Sequence, residues 1–280
     1  MAWCHFRPLL ILIDGKLLVV YPPPPAKGGI TITEDDLNCL EEGEFLNDVI
    51  IDFYLRYLVC EQQEKEDASK CHVFSSFFFK RLTQKDHRRL PGTTDLSIQE
   101  RRHSRVKTWT RSVDLFEKEF IFVPINQMPC ILIMDSLTCS GRSSVVQILQ
   151  EYLQEEWKVK MGSEQSFGNG VMDGWSPIVP KQDNYTDCGI FLLQYVESFL
   201  KDPPQSFHHS MDLNGWFSQR TVKRKRRQIK RLILSLHSTH KMNKQIPSPR
   251  TWLMHILNSF ILPDLLPSLL EGRIFACSCR

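Results

Sequence analysis

A single cysteine stands where an apolar helix begins. The segment PKQDNYTDCGIFLLQYVESFL, residues 180–200, carries Ile190, Phe191, Leu193, Val196, Phe199 and Leu200 at the spacing of one helix face, with Pro203 and Pro204 just beyond. The spacing predicts a helix that starts at or near Cys188. Unpaired backbone N–H groups and the macrodipole favour an anion there, so a thiol is drawn toward its nucleophilic thiolate form. A small, buried and inert cysteine fits the same pattern. Spacing alone leaves both readings open.

The elements that would position such a thiol can be read around it. The chain has 280 residues, 42% of them apolar, enough for one sizeable core and an appendage. Its formal charge of +3 gives too weak a global field to announce a nucleic-acid binder. Nine cysteines are scattered without a pair of CxxC clusters, which favours reduced thiols over a disulfide framework or a zinc site. Near the start, LLILI-DG-KLLVV reads as a hairpin around Asp14-Gly15, and Pro22 to Pro25 as a stiff extended connector.

Thr33 with Asp36 three residues on predicts a capped helix ended by Gly43, and Asn47 or Asp48 a cap for a second helix that carries Val49, Ile50, Phe53, Tyr54, Tyr57 and Leu58 on its buried side. VFSSFFFKRL reads as a buried helical segment, and residues 83–105, with Arg101, Arg102, His103 and Arg105, as a solvated loop or helix face. FIFVPIN and CILIMDSL read as buried strands, and SSVVQILQEYLQEEW as a helix. TVKRKRRQIKRLILSLH predicts a helix with Val222, Ile229, Leu232, Ile233 and Leu236 on one side. Its five consecutive cations, Lys223 to Arg227, read as a solvated face, with a nuclear-targeting signal as the alternative. The apolar tail is cut by Pro263, Asp264 and Pro267, short of the roughly 20 residues that span a bilayer, so no membrane role is expected.

QDNYTDCGIFLLQYVE resembles the glutamine, acidic residue and cysteine-glycine signature of the Ulp-type SUMO-specific cysteine proteases, the sentrin-specific or SENP family. EFLNDVIIDFYLRYL, RVKTWTRSVDLF, IFVPIN and ILIMDSL match that family's blocks in the same order, and YPPPPAKGG resembles the start of the catalytic domain in its divergent, poly-SUMO-processing branch. The likeness covers residues 19–240. An N-terminal extension, 1–18, and a tail, 241–280, lie outside it.

The resemblance implies an α+β, papain-like cysteine protease fold of the Ulp type. By motif it makes Cys188 the nucleophile, Asp135 the aspartate that orients a histidine, and Gln182 the oxyanion donor. Phe45 and Asp48 become substrate contacts. It implies SUMO, SUMO chains and SUMO-conjugated proteins as partners, a location in the nucleus with the cytoplasm as a second site, and neither cofactor nor metal. The cation run has no interleaved aromatic residues, so no specific nucleic acid is expected.

One part of the family pattern is missing. The family carries its catalytic histidine, followed by tryptophan, on a core strand between the FVPI and DSL blocks. Here Ile125 and Asn126 run directly into QMPCILIMDSL, and residues 106–206 contain no histidine. His103, His208 and His209 lack the strand context. The pattern reads as an internal loss of one strand, as alternative splicing would produce. A free thiol is only a few per cent thiolate at neutral pH. A helix terminus contributes about 0.3–1 kcal/mol toward ionising it, whereas losing the histidine of a serine protease costs on the order of 10⁶ in turnover. The expectation is a catalytically deficient member of the family, either a non-catalytic SUMO-binding module or a poorly folded splice product.

Overall fold

In a computed structural model of the chain, the described residues are 15–62, 70–85, 96–125, 134–137, 142–168, 172, 174, 176–204 and 211–245. The chain divides into two compact units, Met1–Leu234 and Ser235–Arg280. Of the second, only the end of one long helix is described.

The first unit opens with β1 (Leu17–Tyr21), paired antiparallel with β2 (Ile30–Thr33), Val19 opposite Ile32 and Tyr21 opposite Ile30. The second arm of the expected hairpin around Asp14-Gly15 is β1, paired with β2, and its first arm lies outside the described residues. The proline run is not an extended connector. Because β1 and β2 are antiparallel neighbours, it has to reverse the chain, and the Ala26 N–H closes a turn on the Pro23 carbonyl (3.2 Å).

The helix expected after Thr33 is a six-residue 3₁₀ turn, Asp35–Leu40. The Asp36 carboxylate reaches back to the Thr33 N–H (2.8 Å), but the Thr33 hydroxyl donates to the same Oδ2 (2.8 Å) where a cap would accept from a helical N–H. The other oxygen of Asp36 accepts from Asn47 Nδ2 (2.8 Å), and Asn47 Oδ1 caps α1 (Asp48–Gln62) through the Ile50 N–H (2.9 Å). One carboxylate thus joins the end of β2 to the start of α1. Gly43, at φ +86°, supplies the left-handed turn between them.

VFSSFFFKRL splits instead of forming one helix. Cys71–Val73 is β3, parallel to β4 (Phe120–Phe122), and Phe77–Thr83 is α2. The break falls where Asp52 of α1 accepts from the Ser75 hydroxyl (2.5 Å) and the Ser76 N–H (2.7 Å), a tertiary demand that overrides the apolar run. Phe74 and Phe78 stack at 3.8 Å between centroids and meet Tyr152 of α4 (Arg142–Met161).

The polar stretch before Arg105 is not wholly solvated either. Ser97 and Glu100 form a capping box for α3 (Ile98–Ser104), and His103 is 5% exposed, with Nε2 2.7 Å from Glu156 Oε2. The remaining elements are α5 (Cys188–Lys201) and α6 (Gln219–Gln245). Among the described residues no helix is long and apolar enough to cross a membrane.

Two packed ionisable sites set a pH response. Burial, with Lys118 and Arg56 nearby, pushes His72 of β3 down to about 4. Burial raises Glu156, but hydrogen bonds from His103 and Thr110 outweigh it and hold the carboxyl below its usual range. The unfolded chain binds the His72 proton near pH 6.5 and the folded chain only near 4, so stability falls as pH drops through that window. The Glu156 contribution is present above the usual glutamate range and is lost only at lower pH. Thermal melting from pH 7 to 4 is expected to show a falling Tm, and His72→Phe to flatten that fall. An unchanged slope would exclude His72 as its cause.

Candidate active site

Cys188 is the first residue of α5 and half-buried, as the apolar spacing predicts. The turn before it is built by Asn184, whose side-chain oxygen accepts from the N–H groups of Thr186 and Asp187 (2.9 Å each). Its Nδ2 donates to the Asp187 carboxylate (2.8 Å), and the Asp187 carbonyl accepts the Phe191 N–H to close the first helical turn (2.9 Å). Gly189 is needed next. A Cβ there would lie 3.0 Å from Leu46 Cβ, so the glycine lets α5 approach the chain entering α1.

The turn is anchored by Arg226 of α6. Its Nε and Nη2 donate to Asp187 Oδ1 (3.2 and 2.7 Å), its Nη1 to the carbonyls of Cys39 (2.8 Å) and Glu41 (3.1 Å), and its Nη2 to the Glu44 carbonyl (2.6 Å). One guanidinium thus ties the residue before the thiol to the segment that leads into Phe45. The adjacent Lys225, 1% exposed, pairs with Glu197 of α5, which also accepts from Tyr54 of α1 (2.9 Å) and from Lys201 (2.5 Å). Burial raises Glu197, but the two lysines outweigh it and hold its carboxyl below the usual range.

Gln182 and Asp135 meet through Ser136. The Gln182 N–H donates to the Ser136 carbonyl (3.2 Å), and the Ser136 hydroxyl donates to Gln182 Oε1 (2.5 Å). Gln182 Nε2 donates to the Asn184 carbonyl (2.6 Å), so the amide braces the turn that delivers Cys188. Asp135 Oδ1 accepts the Leu137 N–H (3.0 Å), and its carbonyl accepts from Lys181 (2.6 Å). Residues 134–137 are not a strand, and residues 130–133 of the expected one lie outside the described residues. Burial and the Asp135 charge together raise the Tyr195 phenol above its ordinary value.

Cys188, Asp135 and Tyr195 line one cavity of about 870 Å³, which runs along β4 to Phe78 and Tyr152. Phe45 is 61% exposed and Asp48 is half-buried at the first position of α1. No histidine lines this cavity among the described residues. His103 is held on Glu156, His72 stands edge-on to Phe74, and His208 and His209 lie outside the described residues. No cluster among the described residues has the make-up of a metal site.

Cys188 thus stands at a helix start, with Gln182 ahead of it hydrogen-bonded to the residue that follows Asp135. Residues 44–241 match the Ulp1 protease family, C-terminal catalytic domain. The chain belongs to the Ulp1 protease family. It is 40% identical to human sentrin-specific protease 7 over 294 residues, covering 79% of this chain and 28% of the relative, and 31% identical to mouse sentrin-specific protease 6, covering 82% and 38%. It therefore spans well under half the length of these relatives. Its fold is the α+β fold of the Ulp-type proteases. It is similar to the crystal structure of a de-sumoylating protease (TM-score 0.58, 20% identity, covering 82% of this chain and 91% of that one). It is also similar to the C-terminal Ulp1 protease domain in complex with SMT3, the yeast ortholog of SUMO (TM-score 0.53, 23% identity, covering 79% and 88%).

Reading the run Lys223–Arg227 as a solvated face missed the anchor of this family member's cysteine turn. A signal was present, because Lys225 and Arg226 fall three and four residues after Val222 and before Ile229, on the buried face. Removing one partner of a buried pair strands the other, at about 3–5 kcal/mol. Arg226→Ala is expected to cost about that much in urea unfolding, and clearly less in an Asp187→Asn background. Equal costs in the two backgrounds would show that the carboxylate is not what Arg226 serves.

Proposed function

We propose that this chain is a catalytically deficient SUMO protease that retains a surface for SUMO. The absence of any histidine among the described residues lining the cavity of Cys188 and Asp135 carries the reading. Without an imidazole, nothing ionises the thiol, balances the thiolate, or protonates the leaving amine. Gln182 and the Cys188 N–H would still offer donors to an oxyanion.

Loss of a core strand explains the vacancy. β3 and β4 form a parallel pair of three residues each, whereas parallel sheets ordinarily gain their stability within larger, covered sheets. The alignment with the human relative runs over 294 positions, more than this whole chain, while covering 79% of it, so the relative carries residues with no counterpart here. The junction proposed for the loss, Asn126 to Gln127, lies outside the described residues, as does the turn through Met128 and Pro129 that would close the flanks into a hairpin.

The SUMO-facing surface in this reading includes Phe45, whose exposed ring is an apolar lid for an extended tail, and Asp48 beside it. SUMO chains and SUMO-conjugated proteins are partners on the same basis. A nuclear location belongs to the reading too, although burial of Lys225 and Arg226 leaves only three of the five cations of a linear signal exposed.

Purified protein is expected to turn over a SUMO fluorogenic substrate at background, unchanged by Cys188→Ala, while binding SUMO with an affinity that Phe45→Ala lowers about tenfold. Turnover abolished by Cys188→Ala would refute the deficiency, and absence of SUMO binding would refute the retained surface. Inserting a family His-Trp strand between Asn126 and Gln127 is expected to raise Tm and restore cleavage together. Each regained ladder hydrogen bond contributes about 0.5–1.5 kcal/mol net. A gain in neither would place the divergence beyond one missing strand.

A further inference from the structure

Helix α6 contains no acidic residue from Gln219 to Gln245. Its buried face, Val222, Lys225, Arg226, Ile229 and Ile233, is committed to the core. Arg220, Arg224, Arg227 and Arg231 recur at i, i+4, i+7 and i+11. At 100° per residue they fall within about 60° of arc on the side opposite that face, along roughly 16 Å of helix. All four are exposed, and among the described residues none makes a hydrogen bond or ion pair. The flanking cations are engaged, Lys223 with Asp183 (3.9 Å) and Lys230 with Glu41 (2.5 Å).

We infer that this stripe is a binding surface for the phosphate backbone of duplex nucleic acid, read without regard to sequence. Four guanidinium groups in a rigid row offer bidentate forks to successive phosphates, which suits arginine better than lysine. No Phe, Tyr or Trp lies on α6, and no aromatic ring falls between Arg220 and Arg231, so the stacking platform that single strands need is missing from the stripe. An interfacial membrane helix would need its apolar face free, and here that face is packed in the core.

Anisotropy of the full chain with a fluorescein-labelled 20-base-pair duplex tests this. With four phosphate contacts, log K against log salt should have a slope of about −3.6, roughly a 100-fold loss between 50 and 200 mM salt. A scrambled duplex should bind within about twofold. Arg224→Gln with Arg227→Gln should about halve the slope, and glutamine at all four positions should abolish it with melting unchanged. If the fourfold variant melts early, the double variant decides. No duplex binding at 50 mM salt, an unaltered slope in the double variant, or tighter binding to poly-glutamate or to phosphatidylserine vesicles than to the duplex would each overturn the assignment.

Discussion

The guanidinium of Arg226 is the interaction on which the cysteine site depends. It has five N–H donors, and its bonds to Asp187 and to the carbonyls of Cys39, Glu41 and Glu44 engage the whole fork. Those acceptors belong to two segments far apart in sequence, and no helix or sheet satisfies them. A lysine has one nitrogen and could not reach them in a plane. The charge matters as much as the geometry, because Asp187 stands one residue before the thiol and would otherwise be a carboxylate with only the Asn184 amide for a partner in a largely buried position.

The same helix holds α5 a second time. Lys225 reaches Glu197, about two and a half turns beyond Cys188, and Tyr54 brings α1 to the same carboxylate. Desolvating a lysine and a glutamate is costly, and the further hydrogen bonds that Tyr54 and Lys201 make to the same carboxylate help to offset that cost. α6 therefore fixes both the start and the middle of α5. Gly189 then lets Leu46 lie against the first turn, so the thiol's position is determined from three sides.

Periodicity made α1, α4, α5 and α6 legible in the sequence, because each buries one face and the apolar spacing records it. It failed where a distant polar group decided the outcome. Asp52 stops an apolar run at Ser75, Glu156 draws His103 inside, and Glu197 and Asp187 draw Lys225 and Arg226 inside. Propensity has no means of seeing a partner many residues away. The cysteine was legible as a helix start. Gln182 and Asp135 were legible only through ordered motifs, since their meeting at Ser136 depends on a contact spanning 46 residues.

What the chain retains and what it lacks fall on different physical levels. Asn184, Gln182, Asp187 and Arg226 hold the backbone of the cysteine turn, and each does so through hydrogen bonds that exist without substrate. A base for the thiol would contribute to chemistry and little to that turn. The described core can therefore hold Cys188 at its helix start without any contribution from a base, because that position is enforced by Asn184, Gln182 and Arg226, none of which lines the cavity. The cavity lies beside β4 and the cluster around Phe78 and Tyr152. Its walls are mostly aromatic and aliphatic, and any part of them without packing partners forgoes dispersion contacts that a filled core would keep. None of the residues bonded to Arg226 is among those walls, so the turn before Cys188 is held independently of how the cavity is filled.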